Sequence, residues 1–181
     1  MTQTTHDKDV ATVETAADGT RSLHMEWNDP MLAVFGLMQL SRDELLERLR
    51  SGDLPQPPLA RLLNITVVDA EPGRMVLGLE PDERHVNFLG VVGGGVVGTV
   101  LDIAMWGAIH LTLEDRSLVT TTSQTTNLLR RVTHGQGPLQ AVATAVHVGR
   151  TTCTAEARLV DAAGKVYATA SAGFVRLSMG G

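Results

Sequence analysis

The sequence predicts an α+β fold in which an antiparallel β-sheet wraps one long central helix. Three observations point there. Val96–Leu113 is apolar on nearly every side and runs well past the ~3–10 residues of an ordinary strand, so it reads as a buried helix. Four runs of strand character follow it: Ser117–Leu129, Leu139–Val148, Thr152–Val160 and Val166–Leu177. Before it, Ile65–Val68 and Arg74–Leu79 flank the turn signal Glu71-Pro72-Gly73 and read as a hairpin. A helix apolar all round must be covered by something, and these strands supply the cover. One sheet cannot close around a helix and leaves its own edges open. Pairing with a second copy is the natural remedy, so an oligomer is expected.

In chain order, Met1–Thr20 is polar, rich in Thr, Asp and Ala and without a sustained period, and is expected to be a flexible tail. Residues 21–58 are expected to form a helical extension. Within it the apolar segment Pro30–Leu40 opens on Asn28-Asp29-Pro30, a cap followed by an early helical proline. Ser41 and Glu44 then have capping-box spacing ahead of a stripe of Leu45, Leu46 and Leu49. Gly52 and the prolines Pro55, Pro57 and Pro58 stop that helix, and residues 59–181 form the main domain. Asp82–Gly90 reads as a loop, and Gly93-Gly94-Gly95 introduces the central helix. The breaks His134–Pro138, Gly149-Arg150 and Asp161–Gly164 are short, so neighbouring strands pair antiparallel.

Composition narrows the function classes. A length of 181 residues suits one domain, and with 43% apolar but only 3% aromatic residues the core must be built from Val, Leu, Ala, Ile and Met. A net charge of -5, with both signs interspersed, offers no platform for a nucleic-acid backbone. The longest apolar stretch, 90–113, is interrupted by Asp102, and Met1–Glu26 has no apolar signal-like core. Neither a membrane span nor export is predicted, and the cytoplasm is the expected location. The single cysteine, Cys153, cannot form an intrachain disulfide. The histidines show no ligand spacing such as His-Glu-x-x-His, so neither a metal nor another cofactor is expected. His85 reads as a surface histidine, and His110 as a helix C-terminal residue favoured by the dipole.

Two features carry chemistry. Asp102 sits in the most apolar part of the chain, where a bare carboxylate is expensive. On a helix Gly98, Asp102 and Trp106 stack at i, i+4 spacing, so glycine leaves room beside the carboxylate. Asp102 is therefore either a hydrogen-bonded core or interface carboxylate, or a general base or nucleophile beside a cavity. The glycine run leaves unpaired backbone N–H groups at a helix start, open to an anion or a developing oxyanion. It is neither a Walker loop, since no Lys-Ser or Lys-Thr follows, nor a dinucleotide fingerprint, since no βαβ unit surrounds it.

Asn87, Gly90, Gly94-Gly95, Thr99, Leu101 and Asp102, in that order, resemble the signature of the PaaI-like acyl-CoA thioesterases of the hotdog superfamily. Thr121–Arg130 is similar to that family's strand ending in Phe-Leu-Arg-Pro, Val148-Gly149-Arg150 to its Gly-Arg turn, and Asp161–Ala168 to its Asp-x-x-Gly-Lys hairpin. The likeness covers about Leu49–Leu177 and rests on the order and spacing of several motifs. It implies a hotdog domain that hydrolyses an acyl-CoA thioester at an interface between subunits of a homodimer or of a dimer of dimers. By the same resemblance the Gly94 amide donates to the oxyanion, with Gly93 and Gly95 beside it. Asp102 of the other subunit activates water or attacks the carbonyl. Asn87 positions water or the thioester, and Thr121 helps to orient it. Arg130, Arg131 and Arg150 are candidates for the CoA phosphates, which suit guanidinium forks, or are solvated surface charges. Trp106 lines the acyl pocket or packs between subunits.

The chain departs from that pattern at Gly93, where the family has the histidine that braces the oxyanion turn, and at Arg131, where a proline is usual. A glycine braces nothing through its side chain. The other reading is therefore a non-catalytic hotdog protein that binds acyl-CoA or an acyl carrier protein.

Overall fold

A computed structural model describes residues 11–27, 29–31, 34, 39–114 and 117–177. A hairpin of β1 (Ala11–Thr15) and β2 (Arg21–Met25) comes first. Helices α1 (Arg42–Ser51) and α2 (Pro58–Leu62) follow, then β3 (Ile65–Glu71) and β4 (Arg74–Leu79). A short 3-10 turn, Glu83–His85, and a loop lead into α3 (Gly94–His110). The chain closes with β5 (Leu118–Leu128), β6 (Leu139–Val148), β7 (Thr152–Val160) and β8 (Val166–Leu177). The main sheet is antiparallel between all neighbours, in the order β3-β4-β6-β7-β8-β5.

The expected wrapping of a long helix by antiparallel strands is what the chain adopts. Along β7, Cys153, Ala155, Ala157 and Leu159 are buried while Thr152, Thr154, Glu156 and Arg158 are exposed, the period of two that turns one face inward. Ala141, Ala143, Ala155, Ala157, Ala168, Ala170 and Ala172 line that face. Such small side chains let the helix residues Val100, Leu101, Ala104, Met105 and Ala108 approach closely and become fully enclosed, in a core with few aromatics. One side of α3 stays half-covered: Val96, Gly98, Thr99, Asp102, Ile103 and Trp106 are neither buried nor fully exposed.

The two edges of the sheet differ. On β3, helix α1 packs alongside, and Arg50 donates from its guanidinium to the Ala70 carbonyl at 2.6 Å. On β5, no strand among the described residues pairs with the outer edge. The capping box at α1 forms as predicted, with the Glu44 N–H donating to the Ser41 hydroxyl at 3.3 Å and the Ser41 N–H to the Glu44 carboxylate at 2.8 Å.

The N-terminal hairpin stands where part of a flexible tail to Thr20 was expected, and its second strand precedes the helices of the extension. Where their side chains are described, only Leu23 and Met25 are half-covered and the rest are exposed, so no buried face marks the pair. The available signal was the Asp18-Gly19 turn, where Gly19 takes a φ of 85° and the Asp18 carboxylate accepts from the Thr20 N–H at 2.9 Å. The hairpin region is tied to the main domain by an Arg21–Glu83 ion pair at 2.5 Å and by an Arg61 bond to the Glu26 carbonyl at 2.7 Å. Most of the predicted Pro30–Leu40 helix, with its Asn28 cap, lies outside the described residues.

Candidate active site

Strand β5 runs antiparallel along the half-covered side of α3, and the two meet rung by rung. Leu128 lies so close to Gly94 that a Cβ there would sit 2.7 Å from Leu128 Cδ1. The Gln124 side-chain amide donates to the Gly98 carbonyl at 2.9 Å. The Thr121 hydroxyl donates to the Asp102 carboxylate at 2.9 Å, and the Trp106 indole N–H donates to the Val119 carbonyl at 2.9 Å. The helix contributes every fourth residue, the row in which side chains stack on one face.

A regular strand cannot provide these partners. Residues 119 and 121 share one face, but 124 would then lie on the other. The pairing of β5 with β8 slips between Thr121 and Ser123, which leaves Thr122 as the extra residue of a β-bulge. The bulge switches the phase, so Val119, Thr121, Gln124 and Thr126 all turn toward α3, whereas Thr120, Thr122, Ser123 and Thr125 face out. The Thr122 hydroxyl donates to the Gly173 carbonyl at 3.0 Å. Gly173 has no room for a Cβ without crowding Ser123 Oγ at 3.0 Å.

Below this ladder lies the start of α3. Gly93 is its N-cap, with no side-chain cap, and the Gly94 and Gly95 amides have no hydrogen-bond partner among the described residues. The preceding loop is closed by main-chain bonds: Asn87 N–H to the Val91 carbonyl at 2.8 Å, Val92 N–H to Val132 at 2.9 Å and Gly93 N–H to His85 at 2.8 Å. Asn87 is exposed, and its side-chain oxygen accepts from the Leu89 N–H at 2.9 Å. Phe88 and Leu89 project into solvent at the loop tip.

His85 is not the surface residue its loop position suggested. It is 4% exposed. Its Nδ1 accepts from the Asp82 N–H at 3.2 Å, and its carbonyl is what holds Gly93. The glycine turn is therefore braced from its N-terminal side, through the backbone. His110, stacked on Trp106 at 4.6 Å between ring centroids, is also largely enclosed.

Burial holds the imidazoles of both His85 and His110 below their ordinary value of 6.5, and for His85 it outweighs the opposing pull of the Asp82 carboxylate. The unfolded chain then takes up protons before the folded one does. Stability from these groups is complete above the unfolded value and is lost as pH falls toward the folded values. The urea midpoint is expected to drop between about pH 7 and about pH 5, and to drop less in His85→Gln than in the wild type.

The remaining predicted residues do not converge in one protomer. Gly94 and Asp102 lie two helical turns apart, about 12 Å along the axis at ~1.5 Å per residue. Arg130 and Arg131 follow the C-terminal end of β5, and Arg130 donates to the Val166 carbonyl. Arg150 lies in the turn between β6 and β7, beside the opposite end of β5 by the register of β7 and β8. All three are exposed. Sequence reasoning missed Gln124, the Thr122 bulge and the burial of His85. Among the described residues, no group of three or more His, Cys, Asp or Glu side chains is placed to hold a metal ion, and no helix is long and apolar enough to cross a membrane.

The profile of the family described as the Thioesterase superfamily matches residues 89–168, from the loop before α3 into β8. No curated protein matches the sequence. Several solved structures do. AziG of S. sahachiroi is 26% identical with a TM-score of 0.64, over 67% of this chain and 97% of its own. A phenylacetic acid degradation-related protein of Ralstonia eutropha JMP134 is 26% identical with a TM-score of 0.64, over 72% of this chain and 98% of its own. The E. coli PaaI protein from the phenylacetic acid degradation operon is 18% identical with a TM-score of 0.65, over 76% of this chain and 94% of its own. The helix-and-sheet domain is a hotdog fold, and its segment 89–168 is similar to the thioesterase superfamily.

Proposed function

We propose that the protein hydrolyses an acyl-CoA thioester to the free acid and CoA, at sites shared between two copies of the chain. The observation that carries this reading is the Asp102 carboxylate, held by the Thr121 hydroxyl on the half-covered side of an otherwise apolar helix. A carboxylate in that place is ready to accept a proton or to attack an electrophile.

The separation of about 12 Å along the helix keeps Gly94 and Asp102 of one chain from reaching the same carbonyl. A second copy resolves this. Two-fold pairing of the open β5 edges, centred near Gln124, brings Gly94 of one helix toward Asp102 of the other. It also adds cover to the half-covered side of α3 and removes a long unpaired edge. Two such dimers would make the dimer of dimers that the resemblance implies.

In that site the thioester carbonyl points at the Gly94 amide, flanked by Gly93 and Gly95 at the positive end of α3. Asp102 takes a proton from water as it adds to the carbonyl carbon, or adds directly to give an anhydride that water then opens. The C–S bond breaks, and CoA leaves as the thiol. Thr121 keeps the carboxylate oriented, Asn87 orients the thioester or water, and Trp106 bounds the acyl side. Arg130, Arg131 and Arg150 serve the CoA phosphates; because they lie at opposite ends of β5, they contribute to one CoA only across the dimer.

Release of free thiol from a panel of short, long and aromatic acyl-CoAs tests the reading. Turnover of at least one class is expected. Binding of acyl-CoA without thiol release from any of them would overturn hydrolysis and support a carrier or sensor built on the same fold.

A further inference from the structure

Gln124 lies on β5 between the Thr122 bulge and the end of the strand, and it has no part in the chemistry just described. Its side-chain nitrogen places both hydrogens inside the molecule, one on the Gly98 carbonyl at 2.9 Å and one on the Thr126 hydroxyl at 2.8 Å. The Gly98 carbonyl is also the helical acceptor for the Asp102 N–H four residues on. The amide thus grips the turn of α3 that carries Asp102, while Thr121, across the bulge on the same strand, grips the carboxylate itself. Packing alone does not call for an amide here. A partly buried glutamine gives up rotamer freedom and hydration that an apolar side chain of the same length would not. Both donors instead meet matched acceptors, one of them on the backbone of the helix.

We propose that Gln124 is a positioning residue for the hydrolysis: it fixes the helix turn of Asp102 against β5, so that the carboxylate stays on the Thr121 hydroxyl. The proposal rests on the thioesterase reading above and adds a residue to it. Phase matters here. Without the bulge, Thr121 and Gln124 would face opposite sides, so the extra residue at Thr122 serves to bring both grips onto one helix.

Two substitutions in the full chain test it. Gln124→Met keeps the length and removes the amide, and Gln124→Glu keeps the shape and removes both N–H donors. In each, kcat on the acyl-CoA that the wild type turns over falls about tenfold with KM within about twofold, because only the geometry of the reacting group is lost. A double-mutant cycle with Thr121→Val separates positioning from packing. Both residues act through one carboxylate, so the double variant is expected to be little slower than Thr121→Val alone. Additive losses, or a kcat within about twofold of wild type in both single variants, overturn the proposal. One readout does not need turnover: the carbon-13 carboxyl resonance of Asp102, identified by its disappearance in Asp102→Asn. It is expected to move in Gln124→Met, and an unmoved resonance overturns the positioning role even in a protein that hydrolyses nothing. A wild type inactive on every acyl-CoA would remove the reaction and leave that resonance to decide the role of Gln124.

Discussion

Replacing Asp102 by Asn is expected to lower kcat for thiol release at least about a hundredfold, with the fold and association state unchanged, because a general base contributes ~10²–10⁴ to rate. The substitution is suited to the question. Asparagine has the shape of aspartate, and its side-chain oxygen still accepts the Thr121 hydroxyl that now lies 2.9 Å from the carboxylate. What disappears is the negative charge and the ability to take a proton or form an acyl bond. Because Asp102 is only half-covered in one protomer, its loss leaves no cavity, and the unfolding midpoint should hardly move. The comparison is made with both purified proteins at matched association state on the same acyl-CoA. Turnover within about threefold of wild type would remove Asp102 from the chemistry and leave it as an interface carboxylate.

Its neighbour Leu101 should behave in the opposite way. One residue along a helix turns the side chain by about 100°, from the open side of α3 to its enclosed side. Leu101 is fully buried, at 0% exposure, in the cluster that includes Leu77, Leu79, Val100, Met105 and Phe174. Truncation to Ala removes buried methyl groups and leaves a void that a close-packed, alanine-lined sheet closes only in part. The expected cost is about 2–5 kcal/mol, a large fraction of the ~5–15 kcal/mol that holds a domain together. Urea unfolding of Leu101→Ala should show an earlier midpoint with an unchanged slope. A loss below about 1 kcal/mol would mean that α3 is less enclosed than its packing indicates. Together the two variants divide one helix between its function and its stability.

The main domain was legible because its signals are periodic and unmixed. The strands Arg74–Leu79, Leu139–Val148, Thr152–Val160 and Val166–Leu177 begin and end where alternation and turn residues placed them. The central helix was recognisable from its length and all-round apolarity, although it starts at Gly94 rather than Val96. Of the site, the Asp102–Thr121 pair was reached through the family resemblance, and the hydrogen bond between them is present. The bulge was hidden by its own sequence. In Thr120-Thr121-Thr122-Ser123 every residue suits either face, so no alternation records where the phase changes. With the phase unread, Gln124 had no visible partner, because its acceptor is a backbone carbonyl and not a side chain. The hairpin at Ala11–Met25 escaped for a related reason: none of its described side chains is buried, and only Leu23 and Met25 are half-covered, so its pairing rests on the backbone and one turn.

The turn at Gly93-Gly94-Gly95 holds its shape by main-chain bonds, Gly93 to the His85 carbonyl and Val92 to the Val132 carbonyl. None of its three residues has a side chain to ionise, oxidise or change rotamer. Chemical vulnerability is thereby displaced from the turn to its supports. A side chain at Gly94 would meet Leu128 at 2.7 Å, whereas a change at position 85 would be felt through how well it fills the interior. Damage or mutation at the buried 85 position would therefore reach the start of α3 through the His85–Gly93 bond without touching the glycines.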